Sequence, residues 1–81
     1  MAKFIDYHRS LPPMDTVQKV TTAIRAGRSD QFGTKPINVF AGKTQAWCLT
    51  EAPSVQAVLK THESLGVKLS EGDVVEVSTL A

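Results

Sequence analysis

The stretch Pro36-Ile37-Asn38-Val39-Phe40-Ala41-Gly42-Lys43-Thr44-Gln45-Ala46-Trp47-Cys48-Leu49-Thr50 decides the fold. Pro36–Phe40 and Thr44–Thr50 carry β-branched and aromatic residues and read as two strands. Ala41-Gly42-Lys43 between them is short enough for a tight hairpin turn. Helix and strand signals flank this pair on both sides.

On the N-terminal side, Lys3–Arg9 alternates apolar and polar residues loosely, as a strand does. Ser10-Leu11-Pro12-Pro13-Met14 interrupts it, because consecutive prolines supply no backbone donors. Asp15, with Gln18 three residues on, predicts a capped helix start, and Val17, Val20, Ala23 and Ile24 give that helix one apolar stripe. Arg25 and Arg28 suit its C-terminal end, and Gly33 is a reasonable stop. On the C-terminal side, Pro53 suits the first position of a second helix, whose stripe is Val55, Val58, Leu59, His62 and Leu65, with Gly66 beyond it. A polar loop at Ser70-Glu71-Gly72 leads into a last strand, Val74–Val77. The order β-α-β-β-α-β over residues 1–81 predicts one α+β domain of the ferredoxin-like type. Its two right-handed crossovers put both helices on one face of a four-stranded antiparallel sheet. The other face is left open for a second copy, so a homodimer is expected.

Composition narrows the partners. At 81 residues and 8.8 kDa there is room for one core. Nine basic against eight acidic residues leave a formal charge of +1, which offers nucleic acid no single-sign field. No apolar run approaches the roughly 18–20 residues that span a membrane. Asp6 falls where a signal peptide needs an apolar stretch. The single cysteine, Cys48, forms no internal disulfide, and a reduced thiol in the cytoplasm is the expectation.

Gly42-Lys43-Thr44 has the look of the end of a phosphate-binding loop. That motif needs a glycine where Ile37 stands and a helix afterwards, so the segment reads as a turn. Asp6 and His8, two apart on a central strand, share one sheet face. They form either a hydrogen-bonded pair at an interface or two ligands for a divalent metal, because carboxylate and imidazole together suit nickel, zinc or iron. His62 lies in an apolar helical stripe, ordinarily the place of a satisfied core histidine. Glu51 precedes the second helix, where its charge complements the dipole. Cys48 reads as a small buried hydrophobe, and Trp47 as core or interface filling.

The chain resembles a family of small nickel-binding proteins with a ferredoxin-like fold, known otherwise as a domain of unknown function. The resemblance lies in Met1-Ala2-Lys3-Phe4-Ile5-Asp6-Tyr7-His8, with its Asp-x-His; in Trp47-Cys48-Leu49-Thr50-Glu51-Ala52-Pro53-Ser54; and in the helical His62-Glu63 followed by Gly66. It implies a non-enzymatic homodimer that binds nickel or a similar divalent ion. By position, the matched ligands are Asp6, His8, Glu51 and His62. A further histidine and aspartate that members carry on the first helix are missing between Val17 and Arg28.

The placement of these ligands depends on strand direction and on parity. With the first and third strands taken as parallel, His8 and Glu51 approach one end of the sheet, and His62 lies towards the other, nearer Asp6. If Ile5 and Tyr7 face the helices, Asp6 and His8 lie on the open face and a site must assemble across a dimer. The opposite parity puts them beneath His62. The alternative function is a small-molecule enzyme, a monooxygenase or isomerase of the dimeric barrel type, with a histidine base and an apolar cavity lined by Trp47 or Phe40.

Overall fold

The computed structural model describes residues 1–78. In chain order it contains β1 (Ala2–His8), α1 (Met14–Ala26), β2 (Lys35–Ala41), β3 (Ala46–Ala52), α2 (Val55–Ser64) and β4 (Val74–Val77), with a single 3-10 turn at Glu71–Asp73. The strands are ordered β2-β3-β1-β4, and every neighbouring pair is antiparallel. This is the ferredoxin-like α+β arrangement that the order of elements implies.

The antiparallel pairing of β1 with β3 corrects one expectation. A helical crossover makes β1 and β2 parallel, and the hairpin then reverses the chain, so β3 must run against β1. Glu51 therefore pairs with Lys3 at the start of β1, whereas His8 pairs with Ala46 at its end. His8 and Glu51 occupy opposite ends of the sheet.

Alternation along β1 settles the parity. Phe4 and Asp6 are buried, at 2% and 0% exposure, so Ala2, Phe4, Asp6 and His8 face the helices while Lys3, Ile5 and Tyr7 face away. Opposite them on the helix side of β3 stand Ala52, Thr50, Cys48 and Ala46. The apolar core gathers at the Phe4 end, where Phe4, Ala52, Ala57 and Val58 pack with Phe32, Val55 and Leu69. The His8 end of the same face is polar.

Helix termini differ from expectation in instructive ways. The Pro13 carbonyl accepts the Val17 N–H at 3.1 Å, so α1 begins at Met14 with Pro13 as its cap. Asp15 falls inside the first turn and accepts only the Thr16 N–H, at 2.9 Å. Gly27, at φ 65°, closes α1 well before Gly33 by adopting the left-handed conformation that glycine tolerates. At α2, the Ser54 hydroxyl accepts the Ala57 N–H at 3.2 Å, and Pro53 lies just outside the helix. Nothing on α1 is fully buried, which leaves space beneath it.

Truncating Phe4 tests the placement of this core. Phe4→Ala should cost about 3–5 kcal/mol in urea unfolding, against less than about 0.5 kcal/mol for Met14→Ala, which is exposed on the first turn of α1. A Phe4→Ala loss no larger than that of Met14→Ala would remove Phe4 from the core.

Candidate metal centre

Three elements converge at the polar end of the sheet. β1 presents Asp6 and His8 on its helix side, the β1–β3 register sets Cys48 directly opposite Asp6, and α2 lowers His62 onto them from above. His62 reaches this point because α2 starts over the Phe4 end and runs toward the His8 end, one turn beyond buried Val58. Asp6, His8, Cys48 and His62 each offer one ligand-type atom, and these atoms lie within 4.8 Å of one another. The four are close enough to hold a metal ion.

Asp6 is the centre of the group. Its Oδ1 accepts from His8 Nε2 in direct contact and lies 3.2 Å from His62 Nε2. The two imidazole rings stack, with centroids 5.1 Å apart and planes inclined by 27°. His62 Nδ1 donates to the Val58 carbonyl at 2.8 Å, which turns Nε2 toward the carboxylate. Cys48 Sγ lies 3.6 Å from His8 Nε2. A small cavity of about 40 Å³ opens against His8, Cys48 and His62, room enough for an ion or a water.

Burial and charge compete at each titrating group. Burial pushes the Asp6 carboxyl up, but the hydrogen bonds and positive charge of His62 and His8 outweigh it and hold it below 3.8. Burial also works against charge on His62, yet the hydrogen bond to Asp6, the charge of Asp6 and the Val58 carbonyl together raise it above 6.5. The Cys48 thiol is pushed up to about 12, first by burial and then by the neighbouring Asp6. Without a metal, the group is thus a carboxylate, a readily protonated imidazole and a neutral thiol.

The spacing of the four donors is what allows them to hold a metal ion. Bonds of about 2.0–2.3 Å to nitrogen and sulfur place tetrahedral donors roughly 3.3–3.8 Å apart; the His62–Asp6 and Cys48–His8 separations of 3.2 and 3.6 Å are close to this, whereas His8 Nε2 and Asp6 Oδ1, in direct contact, would have to move apart. Asp6 Oδ2 is buried and has no hydrogen-bond partner among the described residues, so the carboxylate holds unused acceptor capacity. The second ring nitrogen of His62 is already held by a backbone carbonyl, the usual outer support of a ligating imidazole.

Of the residues expected from sequence, Asp6, His8 and His62 come together within one chain, with no second subunit required. Glu51 does not join them. It lies on the opposite face of β3, in register between Lys3 of β1 and Lys35 of β2, where opposite charges are neighbours. Cys48 takes the fourth place, where a small buried hydrophobe was expected. The signal that reaches it is the antiparallel register itself, which sets Cys48 across from Asp6. Trp47 and Phe40 pair across strands on the open face, away from the cavity at the cluster.

No family model matches the chain, and no curated protein matches it. The fold is similar to the crystal structure of SCO4226 from Streptomyces coelicolor A3(2), with 27% sequence identity over 99% of this chain and 100% of that one, at a TM-score of 0.73. Among the described residues no helix is long and apolar enough to cross a membrane.

Linkage gives the metal-free cluster a distinct pH signature. The raised His62 contributes stability in full below its ordinary 6.5 and loses it as the pH climbs through the higher folded-state value. The lowered Asp6 contributes above 3.8 and loses that stability as the pH falls through its folded-state value. Chelator-treated protein should therefore melt at lower temperature as the pH rises from about 6 to 8.5, below the range in which Cys48 titrates. His62→Gln, which keeps a donor but does not titrate, should lack that decline. An identical decline in both proteins would remove His62 from the account.

Proposed function

We propose that this chain is a non-enzymatic divalent-metal-binding protein, with nickel as its metal and Asp6, His8, Cys48 and His62 as its ligands. The observation that carries the reading is the convergence of four ligand-type atoms from three elements within 4.8 Å. Two imidazoles, a carboxylate and a thiol form a donor set of intermediate softness, which suits nickel, cobalt and zinc better than magnesium or calcium. Nickel is preferred among these because the chain resembles a nickel-binding family at Asp6, His8 and His62. Cys48 replaces Glu51 as the fourth ligand in the proposal.

Capture is coupled to proton release, since an imidazole must be neutral and a thiol ionised to ligate. The high Cys48 value and the raised His62 mean that both protons leave when the metal enters. A thiolate ligand survives in a reducing compartment, and the cytoplasm is the proposed location. The same reading pairs two copies through the open sheet face, where Phe40 and Val75 are 48% and 58% exposed beside the tilted Tyr7–Trp47 pair. Light scattering should then give twice the mass of one chain, and Phe40→Lys should return it to that of one; a single-chain mass for the parent would sink the dimer.

Calorimetric titration of the reduced, chelator-stripped protein with nickel at about pH 7.5 tests the site. One saturable nickel per chain is expected, with about one to two protons released when the heats are compared across buffers. Asp6→Asn and His62→Ala should each weaken binding by roughly ten-fold or more, and Cys48→Ser should abolish the near-ultraviolet thiolate-to-nickel absorption. Glu51→Gln should bind as the parent does. The absence of saturable binding would sink the function; equal binding by the Asp6 and Glu51 variants would sink the assignment.

A further inference from the structure

A second cavity lies beside the metal centre and is far larger than an ion needs. It is a cleft of about 420 Å³ between α1 and α2, within the size range of small-molecule sites. Val20 and Ala23 of α1 form one wall and Leu65, just past the end of α2, the other, while Cys48, Thr34 and Pro36 lie along the floor. The cleft exists because the inner stripe of α1 is made of short side chains, none fully buried.

One polar group at the floor is out of balance. Thr34 is 2% exposed, and its Oγ1 has no hydrogen-bond partner among the described residues. Its backbone is already committed, with the N–H donating to Asp30 Oδ1 at 3.0 Å and the carbonyl accepting the Asp30 N–H at 2.9 Å. Thr34 lies in the wall of the cleft, and a buried hydroxyl without an acceptor is costly to keep. The carboxylate nearby is not available to a cation. Asp30 Oδ1 also accepts from the Phe32 N–H at 2.9 Å, and Oδ2 accepts from the Thr61 hydroxyl at 2.6 Å. Lys19 and Arg28 lie at the rim and are exposed to water. His62 also borders the cleft, but Asp6 already engages it at 3.2 Å, so the interior suits an uncharged, mostly apolar body with one oxygen acceptor.

We propose that the α1–α2 cleft binds a small neutral organic molecule, largely apolar, whose carbonyl-type oxygen accepts the Thr34 hydroxyl at the floor. The cavity and the orphaned hydroxyl carry this assignment, and it stands whether or not a metal occupies the neighbouring cluster.

The fluorescent ketone 6-propionyl-2-dimethylaminonaphthalene has this chemistry and shifts to the blue in apolar surroundings. Titrated into the chelator-treated full chain, it should show a saturable shift with one dye per chain. Ala23→Trp fills the cleft and should weaken binding at least ten-fold. Thr34→Val keeps the shape, removes only the unpaired hydroxyl and should weaken binding by about three- to ten-fold while the protein melts no lower than the parent. Met14→Ala, exposed on α1 and outside the cleft lining, should leave the dye affinity unchanged. No saturable shift, unchanged affinity in Thr34→Val, or an equal loss in Met14→Ala would overturn the proposal. Repeating the titration beside nickel calorimetry separates the two readings, since dye binding without nickel binding contradicts only the metal site.

Discussion

A fully buried carboxylate on a central strand is the constraint around which this small domain is arranged. Asp6 has no exposed surface, and an unpaired charge there would cost several kcal/mol. Two imidazoles answer it, one from two residues along the same strand and one from the helix above. Their positions follow from the need to compensate that charge: His8 must share the parity of Asp6, and α2 must end over the polar half of the sheet. The Val58 carbonyl then fixes the orientation of the His62 ring.

That compensation is incomplete, and the remainder is chemically informative. One carboxylate oxygen has no partner among the described residues, a thiol is held neutral beside it, and one imidazole is biased toward its charged form. Under the proposed function, a divalent cation would displace those protons and engage the free lone pairs. The apolar core at the Phe4 end is made of other residues than this group. Short side chains under α1 leave the neighbouring cleft open, and the metal centre and cleft share Cys48 and His62 as a common wall.

The fold was legible because β-hairpin chemistry at Ala41-Gly42-Lys43 and helical stripes on either side determine the order of elements, and that order allows few topologies. Three of the four clustered residues were legible as well: a polar pair on a central strand and a histidine in an apolar stripe are both misplaced by ordinary patterning. Glu51 stands apart from the cluster because the hairpin reverses the chain, which puts it at the Lys3 end, and its parity on β3 puts it on the other face. Cys48 was undervalued because a mid-strand cysteine has no local signature of ligation; only the cross-strand register reveals its neighbour. Helix starts shifted where the Pro13 carbonyl, a backbone group invisible to composition, outcompeted the Asp15 side chain. The Thr34 hydroxyl could not be foreseen at all, since being unpaired is a property of three-dimensional surroundings.

The most direct measurement is a crystal structure of the nickel-soaked protein, with anomalous scattering recorded at the nickel edge. The account predicts one strong peak per chain on the helix side of the sheet, within bonding distance of His8 Nε2, His62 Nε2, the Asp6 carboxylate and Cys48 Sγ. A peak bound elsewhere, such as at Glu51 on the open face, or no peak in a crystal that diffracts well, would contradict it.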